Sequence, residues 1–145
     1  MFENYDIQDR VPTLDEYRTI CEAVGWTPVI NFEAAALSLE RSLFAVVVMQ
    51  GEQAVGMGRI VGDGAIYFYI QDIAVAPKHQ DNGVGQMVLQ RLMTYLRDNA
   101  PDKAFVGLFA TEEAVEFYRR YGFLVHSAMT GMFQVMLEGG GELPD

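Results

Sequence analysis

The sequence predicts an α+β (mixed α/β) protein. Three observations carry this: strand-like segments joined by short turns, a glycine-containing loop opening a strongly periodic helix, and a hydrophobic half of the composition. A length of 145 residues suits one domain with a sizeable core and leaves no room for a second. One domain over residues 1–138 is expected, with 139–145 as a flexible tail.

Thr13-Leu14-Asp15-Glu16, after Pro12, has the form of a capping box, in which threonine and glutamate side chains each bond the other's backbone amide. It opens a helix that Gly25 closes, and Asn31 caps a second running to about Ser42. Phe44–Gln50 and Gln53–Val61 read as strands joined at Gly51-Glu52, and Asp63-Gly64 marks a second hairpin turn. Tyr67–Val75 is aromatic and β-branched, stops at Ala76-Pro77, and reads as a largely buried strand. Val84, Val88, Leu92 and Leu96 recur at helical spacing, while Gln86, Gln90, Arg97 and Asp98 form the wet face of an amphipathic helix. Ala104–Phe109 is read as another strand and Phe133–Leu137 as one more; between them a short amphipathic helix starts at Ala114 and ends at Gly122.

The loop Gln80-Asp81-Asn82-Gly83-Val84-Gly85 lies where strand gives way to helix. The first amides of a helix lack internal partners, its dipole is positive there, and glycines let an anion approach the chain closely. This points to a nucleotide-type cofactor. A dinucleotide fingerprint would need a third glycine where Met87 or Val88 stands, and a P-loop would need Lys-Ser or Lys-Thr after a glycine; both patterns fail. Gly56-Met57-Gly58, inside a strand with no helix after it, is read as hairpin packing.

A net charge of −10 repels nucleic acid and anionic membrane surfaces and favours cationic small molecules, leaving Lys78 and local amides to hold any phosphate. The lone Cys21 excludes an internal disulfide and reads as a core side chain; with only His79 and His126 as imidazoles, no metal site is expected. No apolar run reaches membrane-spanning length and the N-terminus lacks a signal-peptide pattern, so the cytoplasm is the expected compartment.

Gln80-x-x-Gly83-x-Gly85, followed by Phe117-Tyr118-Arg119-Arg120-Tyr121-Gly122-Phe123, resembles the signature of the GCN5-related N-acetyltransferase (GNAT) superfamily. Gly56-Met57-Gly58-Arg59 and Tyr67-Phe68-Tyr69-Ile70-Gln71-Asp72 extend the likeness to its small single-domain bacterial members, over roughly Leu43 to Met136. The resemblance implies a central, mostly antiparallel twisted sheet of six to seven strands flanked by about four helices, with a V-shaped splay between the strands at 67–75 and 104–109. Residues 1–42 match only in their strand-helix-helix layout, and in such enzymes they shape the acceptor pocket.

The resemblance further implies an acetyl-CoA-dependent N-acetyltransferase that passes the acetyl group directly to a primary amine of a small molecule, without a metal. Backbone at Ile73, Ala74 and Val75 would pair with the pantetheine arm, and Gln80, Asp81, Asn82, Gly83, Val84, Gly85 and Gln86 would hold the pyrophosphate. Tyr118 matches the tyrosine assigned as general acid at the departing sulfur. Asp72 is the expected base, directly or through water, with Tyr67, Tyr69 and Gln71 on the same strand toward the acceptor. A bulge in that strand would shift these directions by one residue, and the competing role for Asp72 is a structural carboxylate bonded to a loop amide or to Arg59. Thr111 stands where the family often has asparagine, and its hydroxyl can cap the following helix. Exposed edge strands would permit a homodimer. Two other readings keep the fold: a non-catalytic acyl-CoA-binding module, and a protein lysine or N-terminal acetyltransferase.

Overall fold

In the computed structural model residues 4–140 are described, and the chain divides into two units, Met1–Leu108 and Phe109–Asp145. The first unit runs β1 (Tyr5–Gln8), α1 (Leu14–Ala23), α2 (Phe32–Glu40), β2 (Phe44–Gln50), β3 (Gln53–Gly62), β4 (Tyr67–Val75), α3 (Val84–Asn99) and β5 (Phe105–Gly107). Its sheet follows chain order, β1-β2-β3-β4-β5. The first four strands pair antiparallel through short connections; β4 and β5 pair parallel because α3 carries the chain back across the sheet.

The local chemistry is as the residues dictate. Thr13 and Glu16 close the capping box on α1, and Asn31 accepts from the Ala34 amide at the start of α2. Gly25, at φ 81°, ends α1 with Gly25 N–H bonded to Glu22 and Trp26 N–H to Cys21, a Schellman arrangement. Asp63 turns the chain between β3 and β4 by accepting from the amides of Ala65, Ile66 and Tyr67, which hold its carboxyl below the usual range.

Two layers cover the sheet. Tyr17, Ile20 and Cys21 of α1 and Ala35 and Leu39 of α2 form one cluster with Val47, Ala54, Met57 and Ala74. On the other face α3 buries Val84, Val88, Leu89, Leu92 and Leu96. Alternation along β3 therefore sends Met57 to the α1–α2 face and Gly56 and Gly58 to the α3 face. A Cβ on Gly56 would lie 2.7 Å from Val84 Cγ1, and one on Gly58 would lie 2.5 Å from Val88 Cγ1. The two glycines thus admit a helix, which corrects their reading as hairpin packing. Gly58→Ala is expected to cost about 1–3 kcal/mol through overpacking, measured by urea denaturation.

Among the described residues the sheet has five strands, not six to seven. Phe133–Leu137 carries no strand, and Ala104–Phe109 shrinks to Phe105–Gly107. A strand persists only where its amides and carbonyls find a ladder, and among the described residues of the second unit there is none. Phe133 instead packs edge-on to Phe109, with ring centroids 5.7 Å apart. On the β5 side, β4 is paired only over Tyr67–Tyr69, so among the described residues its stretch Ile70–Val75 has β3 as its only strand partner.

The second unit contains a 3-10 turn at Glu112–Ala114 running into α4 (Val115–Arg119). Gly122 at φ 91° closes it, with Gly122 N–H bonded to Arg119 and Phe123 N–H to Tyr118. The Thr111 hydroxyl makes no cap; the turn is tied by the Ala114 amide to the Thr111 carbonyl instead. Of the tail expected at 139–145, residues 141–145 lie outside those described. No helix among the described residues is long and apolar enough to cross a membrane.

Candidate functional site

The register between β3 and β4 slips once: Met57 faces Ala74, but Arg59 faces Gln71. Two steps on β3 thus oppose three on β4, so β4 carries a bulge at Asp72–Ile73, where Asp72 takes φ 57°. Asp is among the few non-glycine residues that tolerate this conformation. The bulge puts Gln71 and Asp72 successively on the α1–α2 face and turns Ile73 toward α3, within 3.2 Å of where a Gly58 Cβ would stand. Tyr67, Tyr69 and Gln71, expected at the acceptor, share that α1–α2 face by alternation, and the half-buried Tyr69 ring lies 5.8 Å from Phe105.

Asp72 is held from both sides. Arg59 Nε donates to its Oδ2 at 2.7 Å and the Tyr17 hydroxyl donates to the same atom at 3.1 Å. The rest of the Arg59 guanidinium bonds Ser38 O, Ser38 Oγ and Ser42 Oγ, each at 3.0 Å. One nearly buried arginine therefore ties the bulge to the C-terminal end of α2. Burial, then the Asp72 charge, pushes the Tyr17 phenol well up, so it stays a neutral donor. Tyr17 was not among the residues singled out from sequence, because an aromatic on the inner face of an amphipathic helix looks like core.

The start of α3 differs from the starts of α1 and α2, which have a side-chain cap and acids in the first turn. Here Gly83, at φ 82°, caps nothing, and the first turn holds no acid. Helical bonding begins with the Met87 amide on Gly83, so the Val84, Gly85 and Gln86 amides lie before it. A Cβ on Gly85 would meet only Val75 Cγ2, at 3.8 Å, so space lies open in front of this turn. Asp81 also has positive φ, 68°, and the Gln80 side-chain Nε2 donates to Val75 O at 3.0 Å, fastening the loop to the end of β4. Asn82 donates to the Tyr5 hydroxyl, which shares a 2.7 Å hydrogen bond with His79 Nδ1. Tyr5 and His79 thus brace the loop from β1, a link between residues far apart in sequence that no local pattern announces.

Within the second unit, Tyr118 lies on α4, half-buried and packed edge-on against Phe117 and Phe123 at 5.1 and 6.1 Å. Burial raises its phenol above the ordinary value. Its hydroxyl makes no hydrogen bond among the described residues.

Cys21 is fully buried, and its thiol is pushed up to about 11 by burial first and the Asp72 charge second. It is no nucleophile at neutral pH. A folded-state value above the ordinary 9.0 means stability that is complete below pH 9 and lost as pH climbs through 11. Cys21→Ala is expected to remove up to about 2–3 kcal/mol of that alkaline loss, read from urea denaturation at pH 8 and pH 11.

Among the described residues no group of His, Cys, Asp and Glu could hold a metal. The uncapped amides and the open space at Gly85 can receive an anion such as a phosphate, and the partly unpaired β4 edge can receive an extended chain.

Comparison with known proteins accords with this geometry. The acetyltransferase (GNAT) domain model matches residues 18–132. A Staphylococcus aureus protein of unknown function superposes with TM-score 0.82 at 29% identity, covering 89% of this chain and 97% of that one. An acetyltransferase of the GNAT family from Streptococcus pneumoniae does so with TM-score 0.77 at 29% identity, over 92% and 99%. The uncharacterized N-acetyltransferase ycf52 of Pyropia yezoensis is 28% identical over 83% of this chain and 70% of its own length.

Proposed function

This chain belongs to the GNAT acetyltransferase family and is an acyltransferase, and from that membership we propose that it transfers an acetyl group from acetyl-CoA directly to a primary amine of a small molecule. The observation that carries the reading is the pair formed by the bulged strand β4 and the uncapped, acid-free start of α3 at its end. Acetyl-CoA supplies the activated thioester; the chain's own residues supply placement.

In this reading the Val84, Gly85 and Gln86 amides and the braced Gln80–Gly83 loop bind the pyrophosphate. The backbone of Ile73–Val75 takes up the pantetheine arm, and an amide freed at the bulge polarises the thioester carbonyl. By family likeness alone, Tyr118 is the group assigned to donate a hydrogen bond to the departing sulfur. Tyr67, Tyr69 and Gln71 border the acceptor. Positioning two reactants together provides most of the acceleration.

The base assignment turns on Asp72. Its two donors support a positioning role, fixing the bulge, over proton acceptance, and a water then carries the amine proton away. Asp72→Asn separates the roles. A base lost would flatten the rise of kcat/KM with pH, whereas a support lost would lower kcat and stability together and keep the profile.

Coenzyme A binding tests the site itself. Gly85→Asp adds a charge that suits a helix start, so folding stability is expected to hold. Repulsion of the pyrophosphate is expected to weaken coenzyme A about 10- to 100-fold by calorimetry. Equal affinity in the two proteins would remove the phosphate from this loop. Thiol release with acetyl-CoA and an amine panel tests the activity: the absence of release with every amine despite bound coenzyme A would favour the binding-module reading, and release only with peptides the protein-acceptor reading.

A further inference from the structure

We infer, building on the acetyl-transfer reading, that the acceptor is an amine carrying an anionic group, a carboxylate or a phosphate, and that Arg41 grips that group. A cleft of about 620 Å³ opens on the α1–α2 face, lined by Leu37, Ser38, Arg41, Arg59, Val61 and Gln71 among others. That volume suits a metabolite-sized molecule. The chain has 20 acidic side chains against 10 basic, yet the cleft is lined by two guanidiniums and no carboxylate.

The two arginines have different duties. Arg59 is spent on Asp72 and on the end of α2. Arg41 makes no side-chain hydrogen bond or ion pair among the described residues, and α2 does not need its guanidinium. The Leu37, Ser38 and Leu39 carbonyls already receive the Arg41 and Ser42 amides and, at Ser38, Arg59 Nη1 as well. A cation at the cleft wall is thus left for a ligand.

Polar groups extend this preference. Ser38 Oγ accepts from Arg59, which leaves its own proton to donate. Gln71 lines the cleft and immediately precedes the bulge at Asp72, so an acceptor anchored at Arg41 spans toward the strand where the thioester is proposed to lie. The overall acidity, which favours cationic ligands, is compatible with an acceptor that is both cation and anion. Beyond about 10 Å the surface acids are screened by salt, whereas Arg41 acts at contact.

Matched amines test this: tyramine against tyrosine, putrescine against ornithine, and ethanolamine against phosphoethanolamine, read by thiol release from acetyl-CoA. The first two pairs isolate a carboxylate and the third a phosphate. The anionic member of at least one pair is expected to have the higher kcat/KM by about 10- to 100-fold, the usual worth of a charge-assisted contact. Arg41→Gln should bring that ratio near one, and Arg41→Lys should keep part of it. A purely structural Arg41 would lower both members alike and preserve the ratio, which would overturn the inference, as would preference for the non-anionic member in every pair. Should no amine be acetylated, the transfer reading fails by itself. Calorimetric binding of the same pairs to the coenzyme A-loaded protein then decides: tighter binding of anionic members that Arg41→Gln abolishes upholds the inference, and its absence refutes it.

Discussion

Tyr118→Phe is expected to lower kcat by about 100-fold or more while coenzyme A affinity stays within about twofold. The phenol is half-buried, raised above its ordinary value by burial, and bonded to nothing among the described residues. Removing its oxygen therefore breaks no contact that holds α4 together. Urea denaturation should move by less than about 0.5 kcal/mol. The size of the rate effect follows from the sulfur. An ordinary tyrosine near 10 and a thiol near 8.5 make full proton transfer uphill by about 2 kcal/mol, and burial of Tyr118 widens that gap. Donating a hydrogen bond to developing charge is then the contribution proposed for it. Because the raised phenol keeps its proton, the wild-type rate should show no loss assignable to it up to about pH 9, one unit below the ordinary tyrosine value. An unchanged kcat would strip Tyr118 of the role, and parallel losses of rate and stability would make it structural.

Arg59→Met is expected to produce the largest loss of stability, about 3–5 kcal/mol, because it strands a nearly buried carboxylate. Arg59 and Asp72 side chains are 9% and 14% exposed. Without Arg59, Asp72 keeps only the Tyr17 hydroxyl, and Ser38 O loses a donor at the end of α2. For a chain of this size the melting temperature should fall by roughly 10 °C. The double variant Arg59→Met with Asp72→Leu should recover much of that loss, since an apolar pair of similar volume replaces a costly buried ion pair. A single variant losing under 1 kcal/mol would mean that solvent reaches Asp72. The same pair bears on function, since the bulge it secures adjoins both Gln71 in the cleft and the strand edge proposed for the pantetheine.

Much of the fold was legible residue by residue. Thr13, Glu16 and Asn31 announce their helix starts through local hydrogen bonds, and Tyr67–Val75 is the strand its composition describes. The C-terminal region was misread, because Phe133–Leu137 has the composition of a strand and no partner among the described residues. Gly56 and Gly58 were legible as special, but not why, since the helix they admit lies about 30 residues downstream. The glycine loop and Tyr118 were found by motif. Tyr5 and Tyr17 look ordinary until folding gives each a partner, His79 reads only as one of two imidazoles, and Arg41 stands out only once the cleft beside it is formed.

Local signals in the residues specify the caps, the hairpin turns, the amphipathic α3 and the glycine loop before it. Each depends on bonds within a few residues, and residue type decides those. Tertiary structure alone decided that Asp72 shares its face with Gln71, that Arg59 ties the bulge to α2, and that Arg41 borders a cleft without carboxylates. Those facts arise from strand register and from contacts between distant segments. A one-residue slip in a ladder reverses the direction of every side chain beyond it, and composition does not encode the slip.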